Sequence, residues 1–340
     1  MTLKEFIGDK SRVSHSRLNT LENPKVLWLK MQGIIEDEEH GYLRVGSATD
    51  CLLTEPDKWD ERFIVLSGNR PYGLMGKFVD ALPAGLVETS DIVEYAGAYM
   101  SAGYKVNLTN VINWFWQNPQ AVQYYQEKYA NVGNKTILNA DEYDIALNTK
   151  SLILENSFTK WYFEGEDHLE RHLQMPLFFT FEGTDCKALL DGLVINHDSK
   201  KIIPFDLKTT SKGVFNFYDS YIHYGYYRQA AFYTTAVKEY LAVRSNYDDK
   251  ISDYSLEPFR FIVADSKQGS KSPALIYVTT PNDIKVGLYG GEVKGGGYKK
   301  RIKGIHQLID DYKWHVENNL WLLPRDIYES KGELILNCFE

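Results

Sequence analysis

The sequence predicts an α/β (α+β) fold in which a mixed central β-sheet is flanked by helices. Three strand-like segments follow one another with short turns between them, which indicates a meander. A long segment of helical periodicity, Tyr218–Ala242, separates this meander from two further strand-like segments. Strands and helices are therefore interspersed along the chain, as in mixed architectures. The five strand-like segments are Met175–Glu182, Lys187–Asn196, Lys201–Lys208, Phe259–Ala264 and Ala274–Thr279.

The N-terminal part of the chain predicts short helices before the sheet. Residues 14–19 have the serine-rich pattern of a helix start, and Pro24 interrupts the apolar pattern that follows. Two short helices are therefore expected rather than one. Residues 40–53 predict a turn that leads into a helix, and Arg62–Leu66 predicts a strand.

The middle of the chain predicts a helical insertion, residues 67–134, within a single domain that spans residues 1–340. Capping signals and helical spacing mark Ser90–Ser101 and Asn107–Tyr129. Another helix is expected from Asn139 to about Phe163. The length also allows two domains.

The C-terminal region predicts a loop followed by a helix. Lys285–Lys303 is rich in Gly and Lys, which favours a loop or basic turn, and Ile305–Asn319 has helical spacing. The run Lys294–Lys303 is either a phosphate-contact loop, through Lys299, Lys300 and Arg301, or a solvated flexible turn.

Composition limits the classes of protein that this chain can represent. The formal net charge is −8, which is unusual for a DNA-binding protein but says little about a local groove. Three cysteines, Cys51, Cys186 and Cys338, match no zinc or iron–sulfur spacing, and disulfides are not expected. No signal-peptide pattern or long apolar run is present, so we expect a cytoplasmic protein without a membrane span.

The residues that carry candidate chemistry lie on the predicted meander. Asp206 and Lys208 are two apart in a strand and therefore project from the same face, whereas Leu207 projects from the other. With a turn at residues 197–200, Asp191 on the preceding strand comes close to cross-strand register with Asp206. The alternative to a site is a surface ion pair on a salt-bridged hairpin.

Two adjacent carboxylates favour a cation between them, because otherwise one is driven to its neutral form. A hard divalent ion such as Mg²⁺ or Mn²⁺ takes ligands of this kind, and the backbone carbonyl of Leu207 could add another. The ion would acidify a water, and Lys208 could orient or deprotonate that water. Asp191, Asp206 and Lys208 together therefore indicate phosphodiester hydrolysis.

The helix after the hairpin supplies two further candidates. Gln229 and Tyr233 are four residues apart and share a helix face, from which they could contact a phosphate or a base edge of DNA. The alternative is an aromatic-rich core helix. Residues 174–242, the hairpin and this helix, form the predicted catalytic core.

These motifs resemble the PD-(D/E)XK nuclease superfamily, in particular its RecB-like branch and the phage-type RecE exonucleases. The resembling residues are Asp191-Gly192, Asp206-Leu207-Lys208 and Gln229-Ala-Ala-Phe-Tyr233. Upstream, Ser14-His-Ser16-Arg17-Leu18 resembles the Ser-x-Ser-x-Leu helix start of the family, and we expect Ser16 and Arg17 to contact DNA. The likeness spans residues 14–66 and 135–240.

The sequence departs from the family pattern at two positions. Asp50 stands where many relatives have a metal-binding His, so it is expected as an additional ligand, although it could be a surface charge of a helix. Gln174 stands where many relatives have Glu, and Glu170 or Glu182 could substitute for it. The iron–sulfur branch of the superfamily has four cysteines and is excluded.

The resemblance implies a metal-dependent exonuclease that acts on linear duplex DNA ends in phage-type recombination or repair. Such relatives work with a single-strand annealing protein and form rings, so a homo-oligomer is expected. The alternatives are a restriction- or repair-type endonuclease with the same core, and a non-catalytic DNA-binding protein that retains the fold.

Overall fold

The structure is a computed structural model, which describes residues 3–35, 41–66, 68, 70–130, 135–165, 168–244, 251–295 and 298–334. The α-helices are α1 Leu3–Gly8, α2 His15–Thr20, α3 Pro24–Met31, α4 Gly41–Thr54, α5 Trp59–Arg62, α6 Gly73–Ala81, α7 Ala96–Ala102, α8 Leu108–Trp116, α9 Pro119–Ala130, α10 Ala140–Leu154, α11 Phe217–His223, α12 Tyr226–Arg244, α13 Pro281–Tyr289, α14 Ile305–Asn318 and α15 Arg325–Glu329. The strands are β1 Phe63–Val65, β2 Thr136–Leu138, β3 Leu169–Phe181, β4 Thr184–Asn196, β5 Lys201–Thr210, β6 Ser255–Leu256, β7 Arg260–Asp265, β8 Leu275–Val278, β9 Gly291–Gly295 and β10 Tyr298–Ile302.

The chain divides into two compact units. The first comprises Met1–Glu38, Leu152–Asp265 and Lys271–Glu340, and the second comprises Glu39–Ser151 and Ser266–Ser270. The segment predicted as a helical insertion lies inside the second unit, where it forms α6 to α9. Among the described residues, no helix combines the length and the apolar character needed to cross a bilayer.

The first unit contains a mixed sheet, as the sequence predicts, and this sheet has six strands. Its strands run in the order β3-β4-β5-β7-β8, with β6 also paired to β5. β3, β4 and β5 form the predicted antiparallel meander, β5 and β7 are parallel, and β7 and β8 are antiparallel. Parallel pairing needs a crossover connection, which α11 and α12 supply between β5 and β7.

The helix α12 packs its small and aromatic residues on this sheet. Ala230, Phe232 and Ala236 are fully buried, and the Phe232 ring lies 4.9 Å from the ring of Phe179 on β3. Burial of each such phenyl side chain contributes about 1.5–3 kcal/mol. The helix is therefore fixed against the sheet at the level of the meander.

The predicted helix Tyr218–Ala242 is interrupted in the structure. α11 ends at His223 and α12 begins at Tyr226, because Gly225 has a left-handed φ of +66°. The Nη2 atom of Arg228 lies 2.6 Å from where a Cβ of Gly225 would stand. Both the conformation and the space favour glycine at this position.

Two predicted boundaries were wrong. The helix expected from Asn139 to Phe163 ends at Leu154, where the hydroxyl of Thr159 donates to the carbonyl of Ile153 at 2.6 Å. The loop expected at residues 285–303 is instead the end of α13 followed by the β9–β10 hairpin. A capping box between Thr280 and Asp283 starts α13.

The second unit has its own core. Aromatic rings from α6 to α9 form a cluster in which Phe78, Tyr95 and Phe115 are fully buried. The short parallel strands β1 and β2 pair from Phe63 to Val65, and the partly buried Ile64 and Ile137 pack against this cluster. This region therefore buries a core without the six-stranded sheet.

Gly192 on β4 permits the close packing of the neighbouring strand. A Cβ added there would lie 2.0 Å from the ring of Phe205, which contacts the rings of Tyr162 and Phe163. The contacts with Tyr162 and Phe163 restrict movement of the Phe205 ring away from Gly192. Glycine is therefore the residue that fits beside Asp191.

We expect Gly192→Ala to lower the free energy of unfolding by about 1–3 kcal/mol, the usual cost of overpacking a core. Chemical denaturation measures this change. Gly8→Ala is the matched control, since its Cβ would meet no atom within 4 Å, and its effect should stay within about 0.5 kcal/mol. Equal effects of the two substitutions would contradict the assigned role of Gly192.

Candidate active site

Asp191 and Asp206 lie where the strands β4 and β5 separate. The ladder ends at the pair Gly192–Phe205, and the next residue on each strand is one of the two aspartates. The carboxylate of Asp191 accepts a hydrogen bond from the backbone N–H of Leu207 at 2.8 Å. The Asp191 side chain thus pairs with the N–H of Leu207, which in a regular ladder would donate to a backbone carbonyl.

The Asp206 carboxylate is buried beside the ammonium of Lys208. Asp206 is 2% exposed, and its Oδ2 lies 2.5 Å from Lys208 Nζ. The same ammonium lies 4.7 Å from the ring centre of Tyr226, at the start of α12. The structure therefore brings together the three residues that the sequence nominates, Asp191, Asp206 and Lys208.

Gln229 reaches the site from α12. Its Nε2 donates to Asp206 Oδ1 at 2.8 Å, and its side chain is buried. The sequence suggests a DNA contact for this amide, whereas the geometry assigns it first to orienting Asp206. Tyr233, one turn later, packs edge-on against the rings of His15 and Phe259.

Burial dominates the electrostatics of the site. It raises the pKa of the Asp206 carboxyl, and the neighbouring Lys208 and Gln229 oppose that rise. Burial lowers the pKa of Lys208, but the carboxylates of Asp206 and Asp191 outweigh it, so the pKa of Lys208 lies above its ordinary value. Lys208 is therefore protonated at neutral pH. Burial, with the charges of Asp206 and Asp191, also raises the pKa of Tyr233.

The predicted helix start at residues 14–18 lies beside β4. Val13 donates its N–H to the carbonyl of Asp185 and accepts from the N–H of Lys187, both at 2.9 Å. Ser14 caps α2 by accepting from the N–H of Arg17, and its hydroxyl lies 2.9 Å from that of Ser16. Ser16 is exposed and Arg17 half-buried, and their contact with DNA stays a prediction.

His15 is packed between α2 and α12. Its ring lies 6.5 Å from those of Phe232 and Tyr233, and its Nε2 is buried without a hydrogen-bond partner. Burial, together with the positive charges of Arg228 and Lys208, lowers the pKa of His15 to about 3. It is therefore neutral near the site.

Gln174 has an unusual backbone opposite Asp191. Leu173 pairs with Gly192 and Met175 with Leu190, which places Gln174 across from Asp191 on β3. Its φ is +48°, a left-handed conformation that costs about 1–3 kcal/mol for a residue other than glycine. The sequence singles out Gln174 but gives no signal for this conformation.

The two glutamates that could replace Gln174 both have other partners in the structure. Glu170 is engaged with His172, His197 and Arg244. Glu182 lies at the β3–β4 turn, where it accepts from His306 at 2.6 Å. Substitution for Gln174 by either residue stays a prediction.

The remaining candidates are on other elements. Asp50 is half-buried on α4 in the second unit. Lys299, Lys300 and Arg301 lie on β10, where Arg301 is opposite Glu292. Their roles in metal and DNA binding stay predictions. Cys51 and Cys186 are buried free thiols, and Cys338 lies outside the described residues.

The chemistry of the donor set fits a divalent ion of the magnesium type. Among the described residues, no group of three His, Cys, Asp or Glu side chains is placed to hold a metal. Mg²⁺ commonly takes only one or two carboxylates and fills its other positions with water and substrate phosphate. The pair Asp191 and Asp206 provides such ligands, one beside the other at the end of the β4–β5 ladder.

Comparison with protein families decides the classification. The model of a family described as a PDDEXK-like domain of unknown function (DUF3799) matches residues 14–288. The chain belongs to this family.

Similarity to individual proteins is weaker. A crystal structure from Eubacterium rectale, described as a "putative exonuclease", aligns over 100% of this chain and 96% of its own, with 12% identity and a TM-score of 0.49. A search of curated proteins gives no match. The PDDEXK-like family match, together with the grouping of Asp191, Asp206 and Lys208, supports a nuclease.

The buried ion pair makes a prediction for stability in EDTA. Lys208→Met leaves the Asp206 carboxylate buried without its counterion, which we expect to lower the free energy of unfolding by about 3 kcal/mol. The double variant Asp206→Asn/Lys208→Met removes both charges and should recover at least about 1 kcal/mol of that loss. Chemical denaturation of the wild-type protein, the two single variants Lys208→Met and Asp206→Asn, and the double variant tests this prediction. Strictly additive losses of unfolding free energy would refute an interaction between Asp206 and Lys208.

Proposed function

We propose that this PDDEXK-like protein is a metal-dependent deoxyribonuclease that degrades linear double-stranded DNA from its ends. The observation that carries the proposal is the meeting of two carboxylates and one ammonium, Asp191, Asp206 and Lys208, at the separation of β4 and β5. This combination supplies metal ligands and a fixed positive charge for phosphodiester hydrolysis.

The metal would be held by Asp191, Asp206 and the backbone carbonyl of Leu207. When bound, Mg²⁺ or Mn²⁺ would supply Lewis-acid charge at the scissile phosphate and acidify the attacking water. Gln229 keeps Asp206 in a fixed orientation through its 2.8 Å hydrogen bond. Asp50 is a further candidate ligand. The family that this sequence resembles often has His at its position.

Lys208 acts in this mechanism as a cation rather than as a base. Burial lowers the pKa of Lys208, but its ammonium lies 2.5 Å from the Asp206 carboxylate, which, with Asp191, raises that pKa. A protonated amine can donate a hydrogen bond to the attacking water or to a phosphate oxygen, and it stabilises negative charge that develops there. The Tyr226 ring supports this ammonium from one side.

The wider functional setting follows from the resemblance of the motifs to the phage-type RecE exonucleases. We propose a role in phage-type recombination or repair, a single-strand annealing protein as partner, and a homo-oligomeric ring. Ser16, Arg17, Gln229 and Tyr233 are candidate DNA contacts on the first unit.

An assay with end-labelled linear DNA and covalently closed circular DNA tests the activity. With Mg²⁺, we expect the wild-type protein to degrade only the linear substrate. Lys208→Ala should reduce the rate at least about 100-fold, because removal of one positioned charge-stabilising group typically has this effect. Chelation of the metal should abolish degradation.

Lys201→Ala is the matched control, since Lys201 is exposed at the other end of the same strand. It should retain the wild-type rate. Cutting of the closed circle would favour the endonuclease alternative. Intact linear DNA, or equal rates for the wild-type protein and Lys208→Ala, would remove the exonuclease proposal.

The β9–β10 hairpin makes a separate prediction for DNA affinity. If Lys299, Lys300 and Arg301 bind phosphates of duplex DNA, their replacement by Gln should reduce the slope of log affinity against log salt. The reduction should reach up to about 0.9 for each phosphate that the variant no longer neutralises. Binding is measured in EDTA to prevent cleavage. An unchanged slope would exclude the hairpin from the DNA interface.

A further inference from the structure

A cavity rich in cations lies within the second unit. Its volume is about 330 Å³, which falls at the lower end of the range for small-molecule pockets. The charged residues that line it are Arg44, Arg70, Lys128, Lys135, Asp80 and Glu142. Four cations and two carboxylates leave an excess of two positive charges on its walls.

The two arginines are already paired with the two carboxylates. Arg44 Nη2 lies 2.5 Å from Glu142 Oε1, and Arg70 Nη2 lies 2.5 Å from Asp80 Oδ2. These acids are engaged further, since Glu142 accepts from the N–H of Asn139 at 3.1 Å and Asp80 accepts from a tyrosine hydroxyl. Both carboxylates therefore already have an arginine and a further hydrogen-bond donor as partners.

The two lysines are not neutralised in this way. Lys128 donates to the backbone carbonyl of Asp80 and lies 5.0 Å from the ring centre of Tyr129, but it forms no ion pair with a described carboxylate. Burial lowers the pKa of Lys128, although the charge of Asp80 opposes this shift. Lys135 is half-buried and likewise forms no ion pair within the described ranges. A partly desolvated ammonium with no carboxylate at ion-pair distance favours binding of an anion.

The cavity wall is built on ordered elements. Arg44 projects from α4 and Lys128 from α9, while Lys135 directly precedes β2. Gly76 on α6 permits the close approach of the preceding segment, since a Cβ there would lie 2.0 Å from the carbonyl oxygen of Pro71 and 2.8 Å from Arg70 Nη1. The cations are therefore held in place by the fold.

We propose that this cavity binds a phosphate group through Lys128 and Lys135. A phosphate monoester carries a charge of about −1.5 to −2 at neutral pH, which matches the excess of two positive charges. Lysine ammonium groups bind phosphate as point charges, and the Thr136 hydroxyl on the same wall can donate a hydrogen bond.

The phosphate can belong to a free nucleotide or to a DNA strand. The first source is independent of the nuclease proposal, whereas the second rests on it. The free nucleotide presents a phosphate monoester and the strand presents singly charged diesters, but both offer anionic phosphate oxygens to the two lysines, so one set of variants tests them.

The experiment compares wild-type protein with Lys135→Met and Lys128→Met, all in EDTA. Isothermal titration with inorganic phosphate and with deoxyadenosine monophosphate, against chloride at equal ionic strength, measures the free ligand. A labelled single-stranded oligonucleotide measures the strand. Lys105→Met is the control, because Lys105 is an exposed lysine of the same unit that does not line the cavity.

We expect Lys135→Met to weaken binding at least tenfold and Lys105→Met to leave it unchanged. A loss confined to the small ligands assigns the cavity to a free phosphate, and a loss confined to the oligonucleotide assigns it to a strand. If Lys135→Met binds every probe as the wild type does, or Lys105→Met has an equal effect, the proposal is wrong.

Two features keep these outcomes interpretable. Lys135 has no ion pair with a described residue, so its substitution should leave the thermal unfolding midpoint unchanged even if Lys128→Met folds poorly. All binding is measured without metal, so it does not depend on DNA cleavage. If the protein binds phosphate but degrades no DNA, the phosphate site stands and the nuclease proposal fails.

Discussion

The burial of the Asp206 carboxylate is the constraint around which the first unit is arranged. An ionised carboxylate at 2% exposure costs several kcal/mol unless nearby groups compensate it. Lys208 compensates it from the same strand and Gln229 from α12. Two carboxylates and one ammonium still leave a net charge of −1 when Asp191 is ionised, which favours a further cation. The ion pair alone therefore does not complete the site.

The sheet is modified locally to make this arrangement possible. The ladder between β4 and β5 stops after Gly192, and Asp191 replaces the missing backbone partner of Leu207 with its side chain. The Phe205 ring fills the space above Gly192, and Gln174 adopts a left-handed conformation on the other side of β4. The departures from regular strand geometry are thus concentrated around one carboxylate, as expected where function opposes regularity.

The sequence predicted those parts of the site that depend on local spacing. Asp206 and Lys208 share a face because side chains alternate along a strand, and the turn at residues 197–200 sets the register with Asp191. The contact between Gln229 and Asp206 was not predictable in this way, since it depends on how α12 docks on the sheet. Gly225 shows the same limit for helices. The apolar period continues past it, whereas its positive φ ends the helix.

Charge illustrates why composition gave little information about binding. The net charge of −8 includes carboxylates that serve as local partners of cations, and such pairs cancel within a few ångströms. Glu142 and Asp80 neutralise Arg44 and Arg70 in this way, whereas Lys128 and Lys135 beside them lack a described carboxylate partner. An anion at that wall meets the unpaired ammonium groups at contact distance and the total charge only after screening over about 10 Å. The pairing pattern, rather than the sum, is therefore the basis of the phosphate site that we propose.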